Sequence, residues 1–338
     1  MASLLCNAES INFLGGYAMK FKQALLAEPG RFIFQEVDEE PGENQILIKI
    51  ASCGLCNWEL NHWKGYIVKP VGYPFPLGHE YAGTVVQVGS NVKNFQVGDK
   101  VSGLGCGSAF AECAVVDAAR CVKLSPEVDV KYFLGEPLKC IITVLEAAAP
   151  KAGDYGMVIG CGPMGQWCCQ GLSGNLLAGL IAVDIDDAKL EMARKHGATY
   201  TINAKKEDVV ARVKEITGGH MADFVIEGTG VHALLNTAMD YLKKGRGRLI
   251  VMSAYEEMSP NFDFRKAVDL SVDIHVAHPG HSLNAADDMR RACDLICKGT
   301  FRNRELVTHE YKLSEIQKAF EQLEHKPAGF MKGIVVPD

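Results

Sequence analysis

Cys56 in CGLCNWEL, His79 and Glu80 in PLGHEYAG, and Glu136 in GEPLKC offer a thiolate, an imidazole and two carboxylates, the donor types that Zn2+ takes. Three protein ligands with a fourth position left open make a catalytic rather than a structural zinc site. Taken singly, a cysteine among apolar residues is ordinary core, and a His-Glu pair is ordinary surface. The four gain weight from a glycine motif further along the chain. Gly160, Gly162 and Gly165, with Pro163 and Met164 between, spell GCGPMG directly after an apolar strand and directly before a helix. The first glycine permits the tight turn, the second lets a pyrophosphate approach the backbone, and the third brings helix close to strand. The N–H groups at the helix start then face the phosphates. Asp184 ends the next strand 19 residues after Gly165, where a carboxylate accepts both hydroxyls of a ribose. Asp186 and Asp187 follow with no Arg or Lys before Lys189, so a 2′-phosphate would meet clustered negative charge and NAD is favoured over NADP. Thr229 and Gly230, in EGTG after the fourth strand of this half, read either as the cofactor's edge or as a plain strand-to-helix turn.

Two kinds of scaffold are needed to hold these groups, and the chain supplies two rhythms. From Lys20 to about Ile142, short β-rich runs such as QILIKIAS, YAGTVVQV and FAECAVV are cut by glycine and proline, which predicts an irregular β barrel. From about Tyr155, strands alternate with amphipathic helices predicted over 164–178, 187–196, 208–216 and 231–242, the signature of parallel βαβ units in a doubly wound sheet. Asp186 is placed to cap the helix that stops at Gly197, and Gly245 to close the one before RGRLIVMS. After about Pro279, helices over 287–298 and 313–324 and a last strand, KGIVVP, are too few for a third domain, so they complete the first. The expected division is residues 19–144 and 281–338 for a discontinuous catalytic domain and 145–280 for the NAD-binding domain.

Composition narrows the function classes. A chain of 338 residues exceeds the ~100–200 of one domain, and 48% hydrophobic with 22% charged residues excludes a disordered or fibrous chain. Lys and Arg number 35 against 41 Asp and Glu, a net charge of −6 without a basic block, so no nucleic-acid partner is expected. No run approaches the ~18 apolar residues that span a bilayer, and the N-terminus lacks a basic region and carries Glu9, so neither a membrane span nor secretion is expected. Twelve cysteines scattered along a long chain suit reduced thiols in a cytoplasm. Residues 1–18 read as an extension or an expression remnant, and nothing rests on them.

GLC at 54–56, GHE at 78–80 with Gly83, VGDKV at 97–101, EPL at 136–138, GCGPMG at 160–165, VD at 183–184 and the closing VTHEYKLSEIQKAFE and MKGIVVP fall in one order. In that order, from Met19 to Asp338, the chain resembles a medium-chain dehydrogenase/reductase of the zinc-dependent alcohol and polyol branch, sorbitol dehydrogenase among them. The resemblance implies an α/β protein: a split GroES-like β-barrel catalytic domain with a Rossmann domain between its halves and the site in the cleft. It implies that Cys56 and His79 bind zinc, that Glu80 and Glu136 bind it directly or through water, and that Glu59 orients the ligating histidine. Zinc supplies a Lewis acid that lowers the pKa of a substrate hydroxyl, and NAD accepts the hydride. A homodimer or homotetramer is implied too, with RGRLIVMS and DIHVA as candidate edges.

Two departures bear on mechanism. The four closely spaced cysteines of the family's structural zinc lobe are reduced to Cys106 and Cys113, so one zinc per chain is expected and these two read as small buried hydrophobes. Where most members carry a Ser or Thr and a His that pass the proton outward, this chain has Trp58 and Asn61, with His62 displaced by one position. Glu80, Glu136, Tyr81, a metal-bound water, His278 or His281 are the candidates for that task, the two histidines reading more readily as surface or capping residues. Trp58 is either an aromatic wall for the C–H face of a substrate or packing beneath the metal loop. The expected function is hydride transfer between NAD and a secondary alcohol of a polyol, sugar or sugar-derived compound. The alternatives are an epimerase or lyase that oxidises its substrate only transiently, and a non-catalytic NAD-binding protein.

Overall fold

A computed structural model describes residues 18–67, 72–105, 107–253, 261–277 and 282–338. Cys106, His278 and His281 lie outside the described residues, as do 1–17. The chain begins with β1 (Met19–Glu28), β2 (Arg31–Glu39), β3 (Gln45–Gly54), α1 (Asn57–Trp63), β4 (Phe75–Pro76), β5 (Glu80–Val88), β6 (Lys100–Gly103), β7 (Cys113–Asp117), β8 (Cys121–Lys123) and α2 (Gly135–Ala148). Alternation follows: β9 (Tyr155–Ile159), α3 (Pro163–Leu172), β10 (Gly179–Asp184), α4 (Asp187–Lys195), β11 (Tyr200–Asn203), α5 (Val209–Ile216), β12 (Phe224–Glu227), α6 (His232–Ala238), β13 (Arg248–Val251), α7 (Phe264–Leu270) and β14 (Asp273–Val276). The chain ends with α8 (Ala285–Cys297), α9 (Asn303–Leu306), β15 (Val307–Lys312), α10 (Ile316–His325) and β16 (Lys332–Val336).

The second set forms a six-stranded parallel sheet in the order β11-β10-β9-β12-β13-β14. Its strands feed two cores. Val158, Ala182, Phe224 and Ile250 point to one face with Trp167 and Leu190, whereas Met157, Ile181, Val225 and Leu249 point to the other with Val213 and Ala238. Period-two alternation in strands buried on both faces is what a doubly wound sheet requires. The order reverses between β9 and β12, so their carboxyl ends open a crevice at a topological switch point.

The first set forms a seven-stranded sheet, β15-β16-β3-β5-β6-β8, with β7 also on β3, beside a small β2-β1-β4 sheet. β16 pairs with β3, so the C-terminal segment returns to the N-terminal sheet from across the parallel one. Leu138 and Ile141 of α2 share a core with Val158, Trp167, Ile334 and Val336, which fixes α2 between the two sheets.

Helix ends differ from the pattern in two places. The helix expected over 164–178 stops at Leu172: Ser173 is extended, Gly174 takes φ 118°, and the following loop is laced to the preceding turn by Gly153 N–H to Leu176 O and Ala178 N–H to Asp154 O. The helix expected over 231–242 stops at Ala238 and tightens to a 3-10 turn over Met239–Tyr241, because Leu242 and Lys243 must extend to pair with Ala222. Gly245 therefore sits in a separate turn at φ 78° and does not cap that helix. Asp186 does cap α4, accepting from Ala188 N–H.

Candidate metal and cofactor site

Cys56 is the residue that starts α1, and His79 and Glu80 lead into β5, so a strand end and a helix start bring the three together. One ligand atom from each of Cys56, His79 and Glu80 lies within 4.8 Å of the others. A tetrahedral zinc with bonds of about 2.0–2.3 Å needs donors about 3.3–3.8 Å apart, so this triad fits after small side-chain adjustment. His79 Nδ1 donates to Glu59 Oε1 at 2.9 Å, and the same oxygen accepts Gly78 N–H at 2.6 Å. Glu59 is fully buried on α1. That hydrogen bond fixes a proton on Nδ1, so Nε2 is the nitrogen that a cation would take in exchange for a proton. Burial opposes a charge on His79, but Glu59 and then Cys56 outweigh it and hold its pKa well above the usual value. Burial and then the Glu80 carboxylate push the Cys56 thiol upward. A thiolate there needs compensation, which a divalent cation supplies.

Removing the Glu59 carboxylate frees the imidazole to turn and strands the Gly78 donor. Glu59→Ala is expected to weaken zinc binding by ~10–100-fold, measured by competition with a chromophoric chelator.

Register explains how Glu80 is held. Gly54 pairs with Glu80 on one side and with Ile334 on the other. A Cβ on Gly54 would fall 2.1 Å from Glu80 Oε2, so only glycine leaves room for the carboxylate to lie across the strand. There it meets Lys332, whose Nζ is 2.6 Å from Glu80 Oε2 and donates to the Leu55 carbonyl at 2.8 Å. Burial disfavours that ammonium, but Glu80 and Cys56 overcome the penalty and raise its pKa. Glu136, in the first turn of α2, directs Oε2 to within 3.8 Å of His79 Nε2 and Oε1 to within 3.3 Å of Lys139 Nζ. Cys140, one turn further on, has its thiol pushed well above the usual value by burial and then by Glu136.

Trp58 does not pack beneath the loop. It is 44% exposed and stands edge-on to His62 at 4.3 Å and to His79 at 5.5 Å between ring centroids. His62 is buried beneath it against Phe75. Tyr81 follows Glu80 on β5 and so points to the opposite face, where its hydroxyl meets Cys121 Sγ at 3.7 Å. It is thereby removed from the candidates for moving the substrate proton. Cys113 is buried at 5% exposure on β7, away from the triad.

The glycine loop opens on the crevice of the parallel sheet. Gly160 adopts φ 91°, and Thr229 packs against it, since a Cβ there would lie 2.9 Å from Thr229 Cγ2. Gly230 also takes a positive φ, 74°, where the chain turns into α6. A Cβ on Gly165 would come 1.9 Å from Gly160 O, whereas at Gly162 it would meet nothing within 4 Å. The middle glycine thus borders open space at the uncapped start of α3, where Pro163 is the first helical residue and Met164 the next. Asp184 turns its carboxylate to this loop: Oδ2 accepts Cys161 N–H at 2.7 Å and Oδ1 accepts Ile185 and Asp186 N–H. A phosphate-binding turn with an acidic neighbour at the strand end fits a dinucleotide.

Residues 42–126 match the alcohol dehydrogenase GroES-like domain, and residues 163–296 match the zinc-binding dehydrogenase family. The chain is 31% identical over 265 residues to (R,R)-butanediol dehydrogenase of Bacillus subtilis, covering 67% of this chain and 75% of that one. The chain belongs to the zinc-dependent medium-chain dehydrogenases. Sorbitol dehydrogenase of Halalkalibacterium halodurans is 27% identical over 328 residues, 87% of this chain and 93% of that protein. The crystal structure of an Escherichia coli oxidoreductase/dehydrogenase of unknown specificity superposes with a TM-score of 0.85 at 26% identity, covering 95% of this dehydrogenase and all of that chain. Family membership makes zinc and a nicotinamide dinucleotide the cofactors, and the donor triad and glycine loop are the residues that fit them.

Two lysines at the metal end of this dehydrogenase escape motif reading. Lys332 opens an otherwise apolar terminal strand, KGIVV, directly after Phe330 and Met331, and Lys139 interrupts the apolar run PLKCIITVL of α2. A single cation inside a run that must be buried is the signal that finds them, because burying it demands an anion nearby.

Proposed function

We propose that this dehydrogenase transfers hydride between NAD and a secondary alcohol of a polyol, sugar or sugar-derived compound, with one zinc per chain. The carboxylate-rich donor set, Glu80 and Glu136 around Cys56 and His79, carries this reading. Cys56, His79 and Glu80 would hold the metal, and Glu59 keeps His79 Nε2 turned to it. Glu136 Oε2, on the His79 side, is the acceptor for a proton leaving the substrate hydroxyl. The exposed face of Trp58 beside His79 suits the C–H face of a carbon chain or sugar ring. Gly160, Gly162, Gly165, Thr229 and Gly230 shape the bed for the dinucleotide, and Asp184 takes the ribose hydroxyls. NAD is preferred because Asp184 is followed by Asp186 and Asp187, and the nearby Lys206 is already engaged by Asp187 Oδ2. The test offers NAD with a panel of polyols and sugars while NADH absorbance and zinc content are followed. NADH accumulation with about one zinc per chain is expected on this reading of the site. Zinc and NAD bound, substrate converted and no NADH released would replace it with transient oxidation, that is, an epimerase or lyase. Binding of NAD without metal or turnover would leave a non-catalytic NAD-binding protein.

We infer that a second copy of the chain covers the β14 edge, giving a homodimer or a tetramer built from it. β14 ends the parallel sheet among the described residues, and Ile274 and Val276 on it and Phe264 and Val268 on α7 are exposed. Val276→Asp is expected to halve the mass seen by sedimentation equilibrium if the native form is a dimer. Among the described residues no helix is long and apolar enough to cross a membrane. The cysteines described are all free, which suits a reducing cytoplasm.

A further inference from the structure

We propose that Gln166 and His196 are positioning residues for the dinucleotide: the buried amide of Gln166, held one way round by His196, turns the Cys161 carbonyl inward and so aims the Gly162 N–H at the cofactor's pyrophosphate. This rests on the reading of the glycine loop as the dinucleotide bed and goes beyond it by assigning two residues outside the glycine pattern. Both side chains are buried. Gln166, on α3, sends Nε2 back to the Cys161 carbonyl at 3.0 Å and across to the Lys189 carbonyl of α4 at 2.9 Å. With two carbonyls on the nitrogen, Oε1 is left to face His196, the residue that ends α4, whose Nδ1 lies 2.8 Å away. An amide oxygen only accepts, so Nδ1 carries a proton there. A flipped amide would set its oxygen against two carbonyl oxygens, which the buried site does not tolerate. On the outer side, His196 Nε2 lies 3.1 Å from Glu305 Oε2 of α9, whose other oxygen is 3.3 Å from Arg302 Nη1, so the imidazole is held from both ends.

The consequence falls on the glycine turn. Cys161 is held at both of its backbone polar groups: its N–H donates to Asp184 Oδ2 at 2.7 Å, and its carbonyl accepts from Gln166. In a trans peptide the carbonyl of one residue and the N–H of the next point in opposite directions. Cys161 O turned to the buried side therefore sends Gly162 N–H to the other side, and Gly162 is the glycine whose flank is open. That donor matters because Pro163, the first helical residue, has no N–H, so a phosphate at this helix start is met by the amides of Gly162 and Met164. Without Gln166 the Cys161 carbonyl would be buried and unpaired, a state relieved by turning the peptide outward, which a glycine at 162 permits. The turned peptide presents a carbonyl oxygen, not an N–H, to the phosphate.

The experiment titrates the full-length protein with NADH, followed by its fluorescence, and displaces it with ADP-ribose, which carries the pyrophosphate, and with adenosine, which does not. Gln166→Met, which keeps the length of the side chain and removes the donors, is expected to weaken NADH and ADP-ribose ~10–100-fold, the worth of one hydrogen bond to a charged group, and to leave adenosine unchanged. His196→Leu keeps Gln166 and removes only what orients it, so it should show the same selective loss to a smaller degree, and it carries the test if Gln166→Met fails to fold. His196→Asn, whose amide nitrogen falls close to the place of Nδ1, should restore most of the affinity. NADH affinity kept in Gln166→Met and His196→Leu, or a loss for adenosine as large as for ADP-ribose, would overturn the proposal. Native protein that binds neither NADH nor ADP-ribose would overturn the dinucleotide reading of the glycine loop itself.

Discussion

Cys56→Ser will purify with little or no zinc and oxidise a polyol at least ~1,000-fold more slowly than the native enzyme, while melting at nearly the same temperature as the zinc-stripped native protein. The rate effect follows from magnitude: charge stabilisation at a Lewis-acid site is worth several kcal/mol, and about 4 kcal/mol corresponds to ~10³ in rate. A serine hydroxyl stays protonated near neutral pH and is a poor ligand where a thiolate is a strong one. The unchanged stability follows from position. Cys56 is the N-cap residue of α1, with φ −122° and ψ 144° and no side-chain cap of its own. Serine is among the better N-caps, so the substitution gives the helix a hydroxyl acceptor as it removes the metal's sulfur. Zinc content by plasma mass spectrometry, the NADH rate and a thermal melt, taken together, separate loss of metal from loss of fold. Near-stoichiometric zinc at native rate would remove Cys56 from the site.

Asp184→Ala will raise the KM for NAD roughly 30–150-fold while leaving kcat at saturating NAD within a few-fold. Hydrogen bonds from ribose hydroxyls to a carboxylate are each of the charged class, and their joint loss is about 2–3 kcal/mol, which is that range of KM. The NAD preference proposed above should shrink with it, since the charge that repels a 2′-phosphate is gone. Part of the effect is indirect. Asp184 Oδ2 also accepts Cys161 N–H at 2.7 Å, tying the strand end to the glycine turn. Asp184→Asn, which keeps an acceptor but not the charge, divides the two contributions. An NAD KM unchanged in both variants would mean that the cofactor does not reach this strand end.

Much of this architecture was legible because its determinants are local. The glycine spacing at 160–165 answers to a turn, a close strand-helix contact and an open flank that any chain making this fold must satisfy within a few residues. The strand-helix alternation after Tyr155 is written in the period of apolar residues, and the cap at Asp186 in its own side chain. The helix ends after Leu172 and Ala238 were not legible, because each was decided by a backbone pairing made elsewhere, with Asp154 in one case and Ala222 in the other.

Residue types and their order already state which chemistry is present: thiolate, imidazole and carboxylates ahead of a dinucleotide turn, in the order of one family. How that chemistry is divided among its partners depends on contacts between distant segments. Lys332 reaches Glu80 because β16 pairs with β3 and Gly54 leaves the gap between them, a meeting of residues far apart in the chain. Glu59 serves His79 and Gly78 with one oxygen because α1 packs under the loop that carries both. Tyr81 is excluded and Trp58 exposed by the facing of a strand and of a helix start. The physical reason is the same throughout. Backbone geometry and apolar period act over a few residues and leave their mark in sequence, whereas the burial of charge is settled only when distant segments close over it and supply its partner.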